Sequence, residues 1–326
     1  MAKRLTSPID EFRALQEYRG AYTDLRDLIR LRYTAREMTD LTGNKTSNPL
    51  AGLLSSNFRG RGIDFSEVRV YQPGDDVRTI DWRVTARTQV AHTKVFQEEK
   101  ERPVLILVDQ SASMYFGSQV TFKSVLAART AAIIAWAALE RGDRVGGLVF
   151  SELGHREVRP RRNKRAVLRL LNEMHDFNHA LKKESISESA TYSDNYFTEA
   201  LSNIRRVTKH GSVIFLISDF TNFSEESRIH LQPLARHSDV VGIHISDSLE
   251  QHLPTPDLYS ITNGTERTRI NTASGKTRDA YERGFQQQIA AIQEEFMRVK
   301  APLLMLQTHQ PILAGLNHQT SFAAKG

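Results

Sequence analysis

VLILVDQSAS, residues 104–113, decides how the rest of the chain is read. Its first five residues are all apolar and partly β-branched, and an aspartate follows them. A short run of this kind reads as a strand buried on both faces. SVIFLISDF (212–220) repeats the pattern, an apolar strand running into Ser218-Asp219. Around these two runs, strand and helix signals alternate. An Ala-rich helical stretch, Gln119–Arg141, stops at Gly142, a glycine placed to close a helix. DRVGGLVFS (143–151) reads as the second strand and 155–161 as a third, with a helix over 164–175 and a polar loop over 180–193. A helix is predicted over Thr198–Lys209, another over 224–237, and a strand over 240–246. Residues 258–272, centred on Asn263-Gly264, read as a hairpin, followed by a helix from about 277 to 299 and a strand over 302–307. The expected fold class is α/β: a Rossmann-like, mostly parallel sheet with helices on both faces.

Upstream, residues 8–41 carry apolar positions at spacings of three and four, as one or two helices do, with Gly20 as a break. The stretch 43–62, rich in Gly, Asn and Ser, reads as a linker, and residues 63–100 as a polar, strand-prone segment with a Pro73-Gly74 turn. The expected divisions are an N-terminal helical segment with linker (1–62), a short-strand segment (63–101), the α/β domain (102–310) and a tail (311–326).

Composition excludes several classes of function. The 326 residues hold 44 Lys+Arg and 38 Asp+Glu, a net charge of +6, with 40% hydrophobic residues and no cysteine. Disulfides, thiolate-bound zinc, iron–sulfur clusters and thiol catalysis are thereby ruled out. The cleanest apolar run, Ala131–Leu139, is about half of the roughly 20 residues a membrane span needs. The basic start MAKRLTSPIDEF lacks the apolar block of a secretory signal, so the expected location is cytoplasmic.

In open α/β sheets ligands bind beyond the carboxyl ends of the strands. A carboxylate at the tip of an apolar strand needs a partner, because an unpaired charge near a core costs several kcal/mol. Asp109, Ser111 and Ser113 put three oxygen side chains on one tight loop, which suits a hard divalent cation such as Mg²⁺, with Mn²⁺ or Ca²⁺ as alternatives. A plainer reading has the serines capping the following helix and Asp109 bonded only to backbone N–H groups.

DQSAS after its strand resembles the metal-ion-dependent adhesion motif of von Willebrand factor A domains, Asp-x-Ser-x-Ser. That family adds a threonine from a second loop and an aspartate from a third. The resemblance places Asp219 as the third-loop residue and Thr198, in NYFTEAL, as the threonine, although Tyr196 stands where the family's glycine would be. A longer stretch, GRGIDFSEVRVYQPGDDVRTIDWRVTARTQVAHTKVFQEEKERPVLILVDQSASMYFG, is similar throughout to the bacterial family labelled domain of unknown function 58. Its telling pieces are RVYQPGDDVRTIDW (69–82) and TAR (85–87). The resemblance implies a von Willebrand A domain coupled with a MoxR-type AAA+ ATPase, in an adaptor or chaperone-like role rather than as an enzyme. A protein partner's acidic side chain would complete the metal shell.

In QPGDDVRTIDWR, Asp75, Asp76 and Asp81 alternate with Arg78 and Arg83 around Trp82. Two readings stand: a partner-docking element, or a salt-bridge network pinning this segment to the large domain with Trp82 as apolar anchor, the second being favoured. The basic run HREVRPRRNKRAVLR (155–169) has one acid, Glu157, and could meet an acidic protein face or, less readily for want of stacking aromatics, nucleic acid. Gly275-Lys276-Thr277 lacks the first glycine and the strand of a phosphate loop, and His175 and His179 lack a third metal ligand, so both histidines are expected at the surface. A metal-dependent hydrolase is the other functional alternative, since two carboxylates and a metal can activate water.

Overall fold

The computed structural model describes residues 20–40, 63–98, 102–184, 195–262 and 267–312. The 43–62 linker, the Asn263-Gly264 turn and most of the tail lie outside the described residues. In chain order the elements are α1 (Leu25–Asp40), β1 (Ile63–Val70), α2 (Trp82–Thr88), β2 (His92–Glu98), β3 (Pro103–Asp109) and α3 (Lys123–Glu140). They continue with β4 (Arg144–Ser151), β5 (Gly154–Arg161), α4 (Lys164–Glu184), α5 (Tyr196–Val207), β6 (Val213–Ser218) and α6 (Glu225–His237). Last come β7 (Asp239–Ser246), α7 (Ser248–Gln251), β8 (Leu258–Thr262), β9 (Arg267–Asn271), α8 (Gly275–Arg298) and β10 (Leu303–Gln307).

The central sheet has six strands in the order β10-β7-β6-β3-β4-β5. All neighbours are parallel except the β4–β5 edge pair. Along β3 the side chains alternate between two cores: Val104, Ile106 and Val108 pack with α1, α3 and α4, whereas Leu105 and Leu107 pack with α5, α6 and the end of α8. This period of two, with both faces covered, is why β3 carries no polar residue before Asp109. In β4, Gly147 is required sterically: a Cβ there would stand 2.2 Å from the Ile106 carbonyl oxygen of β3. Residues 63–98 form a separate antiparallel pair, β1 with β2.

The structure departs from the sequence reading in three places. First, α1 has a packing partner that the sequence reading did not specify: Leu28, Leu31 and Ala35 are buried in the same core as α3, the Trp136 indole donates to the Leu28 carbonyl at 3.1 Å, and Arg129 pairs with Asp27 at 3.1 Å. Its apolar stripe is legible, but the sequence gives no sign that the partner is α3. Second, α4 continues through Glu184, beyond the predicted end at 175 and into the expected loop. Third, α5 begins at Tyr196, two residues before the predicted start at Thr198.

Candidate functional site

The parallel register Val108↔Ile217 places the ends of β3 and β6 side by side. Asp109 therefore stands opposite Ser218, whose hydroxyl donates to Asp109 Oδ2 at 2.6 Å, while Oδ1 accepts the Ser111 N–H at 2.9 Å. The chain then turns into a single 3₁₀ turn, Ala112–Met114, preceded by Ser111, whose side chain makes no capping bond. The two serine hydroxyls instead face each other at 3.1 Å. The capping reading of the serines thus fails, while its other half, a backbone N–H on Asp109, is present. Asp109 and Ser111 are buried, and Ser113 is the one of the three that is partly exposed.

Asp219 follows β6, and the turn there is forced: Phe220 has φ 54°, left-handed for a non-glycine, and its N–H is held by the Ser218 hydroxyl at 2.9 Å. Such a conformation costs about 1–2 kcal/mol, and packing of the buried Phe220 ring on Phe197 and Phe296 offsets it. The result aims Asp219 at Lys123, the first residue of α3. Lys123 Nζ lies 2.8 Å from Asp219 Oδ2 and 2.5 Å from Glu250 Oε1, with Lys123 only 1% exposed. Thr221 N–H donates to Asp219 Oδ1 at 3.0 Å.

The two aspartates titrate in opposite directions. Burial, then the Asp219 charge, push the Asp109 carboxyl up to about 7 despite the bonds from Ser218 and Ser111. Burial would raise Asp219 too, but the Lys123 charge and hydrogen bond outweigh it and hold Asp219 below the usual range. Burial alone would lower the Lys123 ammonium, yet Asp219 and Glu250 hold it above its ordinary value.

Thr198 goes elsewhere. Its hydroxyl meets Ser227 at 2.8 Å and Ser224 at 3.3 Å, tying α5 to the start of α6. The start of α5 two residues earlier than predicted is the physical reason, and Tyr196 lies at the cluster instead. The Tyr196 hydroxyl interacts with Ser111 and accepts from the Asn222 amide. Lys123, Ser218 and Tyr196 were missed in the sequence. Ser218 had a signal, since it directly precedes Asp219 in the second strand-end motif. Glu152 also escaped notice: beyond β4 it accepts the Ala112 N–H at 2.7 Å and braces the loop.

A buried polar chain fixes the other side of this loop. Gln110 donates to the Ser124 carbonyl at 2.9 Å, Asn178 donates to Gln110 Oε1 at 3.2 Å, and Thr23 N–H donates to Asn178 Oδ1 at 2.8 Å. The His175 and His179 rings lie 4.2 Å apart, tilted by 46°, and both bond to Thr23. They are half-buried anchors for the segment before α1, which corrects their expected surface placement. Gly275-Lys276-Thr277 simply opens α8 under a Ser274 cap.

The 72–83 residues stand apart from this cluster. Asp75 pairs with Arg69 at 2.7 Å, Asp76 accepts the Arg78 N–H at 2.9 Å, and Asp81 caps α2 by accepting from Arg83 and Val84 N–H. Hydrogen bonds, from the Arg69 side chain for Asp75 and the Val84 N–H for Asp81, hold both carboxyls below their ordinary range. Trp82 is 68% exposed, so it anchors nothing, and the ion pairs of Asp75 and Asp81 among the described residues stay within residues 63–98. The pinning network expected from the sequence is therefore absent from the described residues, and these acids serve as local caps. Arg78 and Arg83 are exposed.

A mostly parallel α/β sheet with a buried polar cluster at its carboxyl rim defines the class. The family model described as "Protein of unknown function DUF58" matches residues 67–291. The chain belongs to that family. It is similar to uncharacterized proteins of Mycobacterium tuberculosis (strain H37Rv) and Mycobacterium bovis, each 28% identical over 261 residues, covering 79% of this chain and 78% of the relative. A solved structure, described as conserved hypothetical protein BatB from Bacteroides thetaiotaomicron, aligns over 69% of this chain and 100% of that one, with 18% identity and a TM-score of 0.39. No helix among the described residues is long and apolar enough to cross a membrane.

Proposed function

We propose that the chain is a metal-dependent protein-binding module of the von Willebrand A type, in which Asp109, Ser111 and Ser113 hold one divalent cation at the rim of the sheet. The observation that carries this reading is the state of Asp109. It is a fully buried carboxyl with hydroxyl and amide donors but no cationic partner among the described residues, next to an aspartate already matched by Lys123. An all-oxygen set of one carboxylate and two hydroxyls suits Mg²⁺ first, then Mn²⁺ or Ca²⁺. No group of three or more His, Asp or Glu side chains placed to hold a metal ion occurs among the described residues, so the serine hydroxyls are essential to the donor set. Asp219 fits less well as a direct ligand, because its two oxygens are taken by Lys123 and Thr221. Its role is to add negative charge beside Asp109. Thr198 is left out of the donor set.

The cation would offer one coordination position to an acidic side chain of a partner, above the partly exposed Ser113. A single desolvated charge contact of this kind makes binding strong and metal-dependent. By family likeness the partner class is a MoxR-type AAA+ ATPase, with the chain acting in the cytoplasm as an adaptor in chaperone-like or complex-assembly work rather than as an enzyme. Capture of such an ATPase from lysate on immobilised full-length chain tests this. Retention in Mg²⁺, release by chelator and loss with Asp109→Asn are expected. Equal capture under all three conditions overturns it.

A further inference from the structure

The opposite end of the sheet carries the opposite charge. The register Val145↔Arg161 sets the end of β5 beside the start of β4, away from the rim that holds Asp109. Between Gly147↔Val158 and Val145↔Arg161, β5 has one residue more than β4. Arg159 and Arg161 line a cavity of about 510 Å³ together with Glu157, the one acid of its lining. The first turns of α4 close its other wall with Arg165 and Arg169, one helical turn apart and so on one face. All four arginines are exposed. Among the described residues no carboxylate pairs with Arg159, Arg161 or Arg165, and Arg169 has only a 3.7 Å contact to Glu173 on its own helix.

Four arginines against the single carboxylate of Glu157 leave the lining with a net positive charge, which a stability argument does not explain. Protection of the sheet edge is one partial reason, since charges and a proline blunt an edge strand, and Pro160 lies between Arg159 and Arg161. A proline and the bulge would serve that end without a concave pocket. Because Pro160 has no N–H to offer, a guest would be recognised through side chains rather than by strand addition. Arginine forks bind planar carboxylates in pairs of parallel hydrogen bonds. The lining has no aromatic residue on which a base could stack.

We infer that the β5–α4 cavity is a second docking surface, for an acidic segment of a partner protein carrying clustered Asp or Glu side chains. It is independent of the metal reading.

Fluorescence anisotropy of a labelled Glu-Ser repeat peptide with the full-length chain, at near-physiological salt, tests it. With chelator present, so that no cation at the Asp109 rim can take the acidic peptide, binding is expected to weaken by at least about tenfold in Arg165→Ala/Arg169→Ala, to weaken less in the paired Lys variants, and to fall as salt rises. Circular dichroism melts confirm that the variants fold. No peptide binding by the wild type, or binding indifferent to the arginines, overturns the inference and leaves edge protection. A labelled oligothymidylate that binds more tightly than the peptide through the same arginines also overturns it, in favour of a nucleic-acid surface.

Discussion

Asp109 and Asp219 stand at the ends of neighbouring parallel strands, both buried, and yet they are finished differently. Asp219 has an internal cation: Lys123 at 2.8 Å, itself shared with Glu250. Asp109 has only neutral donors, Ser218 at 2.6 Å and the Ser111 N–H at 2.9 Å. The sheet rim satisfies one carboxylate fully and leaves its neighbour short of positive charge, which is what the proposed cation would supply. Position at a strand end therefore does not define a ligand; the partner that the rest of the fold supplies does.

The largest expected effect breaks the finished half. Lys123→Met strands Asp219 and Glu250 without their cation and should destabilise the protein by about 3–5 kcal/mol in urea unfolding. Combining it with Asp219→Asn should recover part of that loss, because the charge left unpaired is then removed.

A pH dependence comes next. His244 is buried beside Phe220, and burial drives its imidazole down to about 4. The unfolded chain, with an ordinary histidine near 6.5, then binds more protons between those values. Stability from this group is complete above about 6.5 and is lost as pH falls toward 4, by about 3 kcal/mol. The difference between wild type and His244→Gln across that range isolates it. A flat difference would mean that the histidine is not held neutral.

Asp109 runs the other way. Its folded value is raised to about 7, so its contribution is present at low pH and is lost as pH rises from about 4 through 7. In chelator at pH 8, Asp109→Asn should stabilise the protein by about 1–3 kcal/mol, by removing a buried charge that lacks a counterion. Added Mg²⁺ should stabilise the wild type and not the variant. The smallest effect concerns a region outside the comparison: Trp82→Ala should change stability by no more than about 0.5 kcal/mol, because the ring is exposed. General unfolding of that variant would restore the anchoring role that the structure denies it.

The parts legible in the sequence share a physical cause. VLILVD and VIFLIS are buried on both faces, so their composition alone marks them, and the alternation of strand and helix then fixes the layer type. Asp109, Ser111, Ser113 and Asp219 were legible because they follow those strands directly. Lys123 was not: a lysine at a helix start ordinarily points to solvent, and its partners Asp219 and Glu250 are remote in sequence. Thr198 was misplaced because the start of α5 is set by Tyr196 and Phe197 packing on Phe150, a tertiary contact with no local signal. The docking of α1 on α3 failed to show for the same reason, since an apolar stripe states that a helix is covered but not by what.

Isothermal titration of Mg²⁺ and Mn²⁺ into the wild-type protein and Asp109→Asn, in matched metal-free buffer, tests the unfinished rim most directly. One saturable site per chain in the wild type, absent from the variant, is the expected result. Identical heats for the two proteins, or no binding by either metal, would contradict it.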